Sequence, residues 1–89
     1  MKYEIIKLLK NTAGTQELES VLKAVLTPSE LEETAKRLDI LAMLTSAKFT
    51  QREIAKHLKV GLATVSRGAE VVKKLEETKP RWWKDFKSW

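Results

Sequence analysis

The sequence predicts an all-α protein of five to six helices that includes a helix-turn-helix. Hydrophobic residues recur at helical spacing along nearly the whole chain, which is typical of amphipathic helices. Residues 27–30 and 50–53 each have the pattern of a capping box, in which a threonine and a glutamate three positions later begin a helix. The 89 residues include only 2 prolines and 3 glycines, so few positions interrupt a helix. We expect a single helical domain over residues 1–89.

Residues 1–47 are predicted to hold the dimerisation helices. Ile5, Leu8 and Leu9 form a short apolar stripe that ends at the turn-like residues 11–14. Thr15 is the expected N-cap of the second helix. The apolar face of that helix consists of Leu18, Val21, Leu22, Val25 and Leu26.

The third helix is expected to begin at Pro28, directly after the capping threonine, and to run to about Ser46. A chain this short buries only about 60–65% of its unfolded surface when it folds alone, so it covers a broadly apolar helix with difficulty. We therefore expect a homodimer. The apolar residues of the third helix are Leu31, Ala35, Leu38 and Ala42 on the main stripe, with Ile40, Leu41, Met43 and Leu44 beside it.

Two short helices joined by a three-residue turn are predicted over residues 50–77. Ile54 and Leu58 mark the buried face of the first helix, and Ala55 is small where the two helices cross closely. Helices of this length joined by such a turn form a helix-turn-helix. The second helix opens at Leu62, and its inner face is Val65, Ala69, Val72 and Leu75.

The turn and the outer face of this helix pair indicate DNA binding. Val60 fills the turn, whereas Lys59 stands where glycine would be more comfortable in a left-handed conformation, at a cost of roughly 1 kcal/mol. An ordinary helical hairpin with a solvated basic face is the alternative interpretation. The outward residues are mostly short, polar or basic, which suits a DNA groove; they are Gln51, Arg52, Lys56, Gly61, Leu62, Ala63, Thr64 and Ser66.

The charge distribution also points to a polyanion. Residues 1–44 hold 6 Lys and Arg against 7 Asp and Glu, whereas residues 45–89 hold 11 against 5, within a total of +5. Nucleic acid is favoured over an anionic membrane because the charge lies among helix-forming residues rather than in a polybasic tail. A membrane partner is not expected.

Composition argues against enzymes and metal sites. The chain has no cysteine and a single histidine, His57, so it offers no thiol nucleophile, no Cys-ligated metal and no convergent acid, base and nucleophile. No catalytic or metal-binding residue is predicted. The first residues lack the continuous apolar core of a signal peptide, from which we expect a cytoplasmic protein.

Residues 80–89 hold three tryptophans. On a helix, Trp82, Phe86 and Trp89 share one face. We expect this helix to pack on the dimer core, because it would cover the apolar surface of the third helix. A membrane-surface anchor and a base-stacking platform are the functional alternatives, which would make the chain a helical interaction or membrane-surface module.

From Leu26 to about Lys74 the chain resembles the tryptophan repressor family. Three segments carry the resemblance: LTPSE at residues 26–30, TQREI at 50–54 and GLATVSRG at 61–68. The arginine-glycine pair that ends the third segment makes the resemblance more specific than a general helix-turn-helix match. It implies an intertwined homodimer that represses transcription by binding a double-stranded DNA operator when L-tryptophan is bound as corepressor.

The resemblance also implies a ligand site. Arg37 and Arg67 would hold an indole between their guanidinium planes, as planar, weakly hydrated cations stack on aromatic faces. Arg67 and Thr64 would contact the carboxylate. From the residues alone, Arg37 is equally a surface cation and Arg67 a phosphate contact. The remaining residues of the implied site are Thr27, Gly68, Val71 and the backbone carbonyls of Ala24 and Leu26.

Gly68 and Val71 are the two unusual residues of this implied site. Gly68 costs roughly 0.5–1 kcal/mol relative to alanine in mid-helix, which suggests that something approaches its backbone closely. Val71 stands where the family has a serine that receives the ligand's ammonium group. Loss of that hydroxyl costs on the order of 1–3 kcal/mol, enough to weaken tryptophan or to favour an indole without the amine.

The departure at Val71 keeps open a ligand-independent DNA-binding repressor as the alternative function. In either case, DNA affinity would depend chiefly on four basic residues of the helix-turn-helix region, because Ala55 stands where the family often has a lysine directed towards DNA, and phosphate contacts supply much of the binding free energy. These residues are Arg52, Lys56, Lys59 and Lys73.

Overall fold

The structure, a computed structural model, describes residues 2–88, which contain six α-helices and no strand. The all-α prediction is confirmed, as are the predicted starts of the third helix and of both helix-turn-helix segments. The helices are α1 (Lys2–Lys10), α2 (Gly14–Val25), α3 (Pro28–Ser46), α4 (Gln51–Leu58), α5 (Leu62–Thr78) and α6 (Arg81–Lys87).

The chain divides into two compact units between Thr34 and Ala35. The first unit contains α1, α2 and the first residues of α3, and α2 buries no residue. Ile5 and Ile6 of α1 are 61% and 60% exposed, and Val25 of α2 is 59% exposed. The apolar faces of these two helices therefore remain accessible in a single chain.

The prediction that Thr15 caps α2 is wrong. The helix already begins at Gly14, whose φ is +80°, and the N-cap position belongs to Ala13, which offers no side-chain hydrogen bond. Thr15 is therefore the second residue of the helix and not its cap. Glycine adopts the left-handed conformation without steric cost, so the chain enters the helix at Gly14.

Both predicted capping boxes are present. The backbone N–H of Glu30 donates to Thr27 Oγ1 at 3.1 Å, and the N–H of Thr27 donates to Glu30 Oε1 at 2.8 Å. Thr50 and Glu53 repeat the same two distances at the start of α4. Each glutamate accepts backbone and hydroxyl hydrogen bonds from its threonine, which lowers its pKa.

The core of the second unit is formed by one fully buried residue from each of three helices. Ile40 of α3, Ile54 of α4 and Val65 of α5 are at most 1% exposed. Burial of each such side chain contributes about 1.5–3 kcal/mol. The predicted anchors Ile54 and Val65 are confirmed, with partly buried Met43, Leu44, Ala55, Leu58 and Val60 packed around them.

The part of α3 that packs within this unit differs from the predicted main stripe. Ala35 and Ala42 are exposed and Leu38 is 47% exposed, whereas Ile40 is buried. The reason is that α3 packs on α4 and α5 through Ile40, Met43 and Leu44, which lie on one helical face.

Helix α6 turns Phe86 inward as predicted, but the tryptophan that it buries is Trp83 and not Trp82. Trp83 and Phe86 are buried, whereas Trp82 is 54% exposed, and Trp89 lies outside the described residues. The indole N–H of Trp83 donates to Glu76 Oε1 at 3.1 Å, which joins α6 to the end of α5. The Trp83 and Phe86 rings stack with centroids 5.4 Å apart.

Candidate nucleic-acid interface

The turn between α4 and α5 has the geometry of a helix-turn-helix. Lys59 is left-handed with φ +57° and ψ +48°, as the sequence suggested. Its N–H and that of Val60 both point to the carbonyl of Ala55, so the last turn of α4 is closed by backbone hydrogen bonds. Half-buried Val60 packs on the core and fixes the turn.

The residues predicted to face DNA form an exposed surface on this helix pair, with one correction. Thr64 is half-buried, because it lies one turn before Gly68 on the side of α5 that turns towards α3. Leu62, at the first position of α5, is 43% exposed. The other members are all exposed: Gln51, Arg52, Lys56, Lys59, Gly61, Ala63, Ser66 and Lys73.

A hydrogen bond that the sequence did not reveal connects two members of this surface. Ser66 Oγ donates to Gln51 Oε1 at 2.9 Å. Gln51 is the first residue of α4, and Ser66 is in the second turn of α5. Hydrophobic periodicity identifies which face a residue occupies and not which side chain it meets across a turn, so no sequence signal marked this pair.

The two predicted ligand arginines are close in sequence to the residues through which α3 and α5 touch. A Cβ at Gly68 would lie 2.6 Å from Ile40 Cγ2, so the helices touch where the glycine has no side chain. The close approach predicted at Gly68 is thus made by Ile40. Arg37 is one turn before Ile40 and Arg67 directly precedes Gly68; both are exposed.

Two further residues predicted for the ligand site extend this region along α5. Thr64, Gly68 and Val71 follow one another at helical spacing and share a face. Val71 is 48% exposed and places an apolar side chain where the resemblance implies a hydroxyl that binds an ammonium group. Each of the two helices thus has an arginine close in sequence to the α3–α5 contact, and Val71 follows Gly68 on the same face of α5.

The three remaining residues predicted for the ligand site belong to the first unit. Ala24 is exposed near the end of α2, and half-buried Leu26 donates its N–H to the carbonyl of Leu22 at 2.9 Å. The Thr27 hydroxyl accepts the N–H of Glu30 and so serves as the cap of α3.

Within residues 2–88 there is neither a metal-binding cluster nor a helix suited to span a membrane. No group of three or more His, Asp or Glu side chains in this range is arranged to hold a metal ion. None of the helices described there is long and apolar enough to cross a membrane.

The fold and this surface define a helix-turn-helix protein. A family model described as Trp repressor protein matches residues 3–86. The chain belongs to this family, whose members are non-enzymatic regulators, and is a transcriptional repressor.

Curated relatives named Trp operon repressor homolog agree with this assignment. The one from Vibrio campbellii is 33% identical over 75 residues, which cover 84% of this chain and 75% of the relative. The one from Vibrio parahaemolyticus is 34% identical over 74 residues, covering 83% and 72%. The one from Xylella fastidiosa is 35% identical over 65 residues, covering 73% and 71%. No solved structure matches the chain.

Proposed function

We propose that the chain is a cytoplasmic, homodimeric repressor that binds an operator in double-stranded DNA when L-tryptophan, or a related indole, is bound. The observation that carries this proposal is the contact between α3 and α5. That contact joins the exposed helix-turn-helix surface to the helix that bears Arg37, and it has Arg67 beside it. A ligand at this place would touch the helix that reads DNA.

DNA binding would use the amino-terminal half of α5 as the recognition helix. Leu62 and Ala63 are short or apolar enough to enter a major groove, while Arg52 and Lys56 on α4 are exposed for phosphate contacts. In a homodimer the two recognition helices would enter successive grooves, one helical turn or ~34 Å apart.

The ligand would act by selecting the spacing of the recognition helices. An indole stacked between the guanidinium groups of Arg37 and Arg67 would contact α3 and α5 together. If this arrangement also fits DNA, ligand and operator raise each other's affinity by the same factor.

Duplex selection from a random library tests the DNA-binding half of the proposal. The wild-type chain should enrich a two-fold symmetric site, with an affinity that falls steeply as salt rises. Arg52→Ala should weaken binding to all duplexes, whereas Glu77→Ala, remote from the surface on α5, should not. If the wild-type chain enriches no sequence, the proposal of operator binding fails.

Calorimetry tests the ligand half. The purified chain should bind L-tryptophan, and Arg67→Ala should remove the binding, with Lys73→Ala as the control on the same helix. Indole-3-propionate, which has the carboxylate and no amine, should compete well because Val71 has no hydroxyl for an ammonium group. If neither compound binds, the corepressor proposal is wrong and DNA binding is tested separately.

The exposed apolar side chain of Val71 favours a second candidate, a repressor that needs no ligand. This candidate predicts equal operator affinity with and without indoles. Val71→Ser distinguishes the two functions, because it should raise tryptophan affinity only in a ligand-dependent repressor.

A further inference from the structure

We propose that Ser66 is a positioning residue that orients the Gln51 side chain, so that Gln51 turns the NH₂ donor of its amide towards DNA. The inference rests on the proposed DNA-binding function and assigns these two residues separate roles within it. Gln51 touches DNA, and Ser66 acts through Gln51.

The hydrogen bond fixes the orientation of the amide. Ser66 Oγ donates to Gln51 Oε1 at 2.9 Å, between residues that are 15 positions apart in the chain. A free glutamine amide presents both a carbonyl acceptor and an NH₂ donor. With Oε1 held by Ser66, the Nε2 hydrogens are the part of the amide that points away from the bond.

The hydrogen-bonded pair lies on the surface that is predicted to face DNA, so the orientation of the amide matters for binding. Gln51 and Ser66 are both exposed, and both lie on the surface with Arg52, Lys56 and Ala63. An exposed hydrogen bond contributes little to folding, because water replaces it readily. Its effect is therefore expected at the interface, where a preoriented donor loses less side-chain entropy on binding.

The chemistry of the donor limits what it recognises. An NH₂ group binds acceptor atoms, and DNA offers two kinds within reach of such a surface: phosphate oxygens and the base acceptors of the major groove, which are purine N7, guanine O6 and thymine O4. Amino groups of adenine and cytosine are donors and would face the Nε2 hydrogens unfavourably. The ligand class is thus an acceptor atom of duplex DNA.

A double-mutant cycle tests the proposal. The probes are a duplex selected by the wild-type chain and a mixed-sequence duplex of the same length, with affinities measured by fluorescence anisotropy. We expect Gln51→Ala and Ser66→Ala each to weaken binding of the selected duplex by about three- to tenfold, since each removes or disorders one hydrogen bond. The double variant should bind no more weakly than Gln51→Ala alone.

Two further variants separate positioning from a structural role. Ser66→Thr keeps the hydroxyl and should retain wild-type affinity. Gln51→Glu keeps an oxygen for Ser66 but has no donor, so it should bind DNA at least as weakly as Gln51→Ala. Thermal unfolding midpoints of all four single variants should stay close to that of the wild type, because the pair is exposed.

The outcomes show which kind of DNA atom accepts the hydrogen bond and which of the two proposals fails. A loss of equal size on both duplexes assigns the acceptor to phosphate, and a loss confined to the selected duplex assigns it to a base; either supports the proposal. If Ser66→Ala weakens binding equally with and without Gln51, or has no effect, the positioning role is overturned while DNA binding stands. A wild-type chain that binds neither duplex overturns both proposals.

Discussion

At the scale of single residues, Gly68 sets the distance between two helices. Its missing side chain allows Ile40 to approach so closely that an added Cβ would lie 2.6 Å from Ile40 Cγ2. That methyl group is attached directly to a branched carbon in a side chain only 1% exposed, so it has little freedom to move away.

Gly68→Ala should therefore lower the free energy of unfolding by about 1–3 kcal/mol, as overpacking does, although alanine favours helix. Urea denaturation measures this change. In an Ile40→Ala background, which removes the methyl group in question, the same substitution should cost nothing. Lys73→Ala on α5 is the surface control. A Gly68→Ala chain that is more stable than the wild type would contradict this packing account.

The sequence marked Gly68 as unusual and did not identify its neighbour. A glycine in mid-helix signals a close approach, but the helix partner is decided by tertiary packing. The packing of α5 on α3 makes Ile40 the group that approaches the glycine backbone. Lys59 was predictable in full, since its left-handed conformation depends only on the adjacent turn.

At the scale of elements, the sequence predicted the features that depend on residues close together in the chain. It did not predict the contacts between residues that are far apart in the chain. The capping boxes at Thr27 and Thr50 were predictable because donor and acceptor are three residues apart. The inward position of Trp83 was not, because it depends on the hydrogen bond from Trp83 to Glu76 of α5. The helical pattern of α6 fits Trp82 on the inside as well as it fits Trp83.

The attachment of α6 should weaken in acid. Hydrogen bonds from Lys87 and then from Trp83 lower the pKa of Glu76 below its ordinary value of 4.5. The stabilisation from charged Glu76 is thus fully present above about pH 4.5 and is lost as the pH falls through the lower pKa of the folded chain.

Stability measured by urea denaturation between pH 3 and 6, roughly the range in which carboxylates titrate, tests this attachment. Glu76→Gln should reduce the loss of stability on acidification, whereas Glu77→Gln should leave it unchanged. Glu30 and Glu53 also have lowered pKa values, and both residues are present in the wild type and in both variants. The difference in acid dependence between the wild type and Glu76→Gln is therefore due to Glu76. The same acid dependence in wild type and Glu76→Gln would show that this carboxylate does not hold α6.

At the scale of the whole molecule, exposed apolar faces and uneven charge agree with the proposed dimeric repressor. Tyr3, Ile5 and Val25 are each more than half exposed in a single chain. Large apolar side chains exposed on the same two helices are typical of an interface. The basic residues, by contrast, lie mostly in residues 45–89, where the helix-turn-helix is.

Sedimentation equilibrium tests the homodimer. The wild-type chain should sediment as a dimer, and Val25→Lys should raise its dissociation constant about tenfold or more, because a charge would enter an apolar interface. Ser20→Lys, exposed on the same helix, should leave the dimer intact. A wild-type monomer at micromolar concentration would contradict the proposed assembly.

The most direct test of the central claim is the affinity of the selected duplex with and without saturating L-tryptophan. Ligand at the α3–α5 contact should tighten DNA binding about 5- to 150-fold, the usual range of such coupling. DNA should tighten ligand binding by the same factor, and Arg67→Ala should abolish both effects. Equal DNA affinity in the presence and absence of bound tryptophan would contradict the claim.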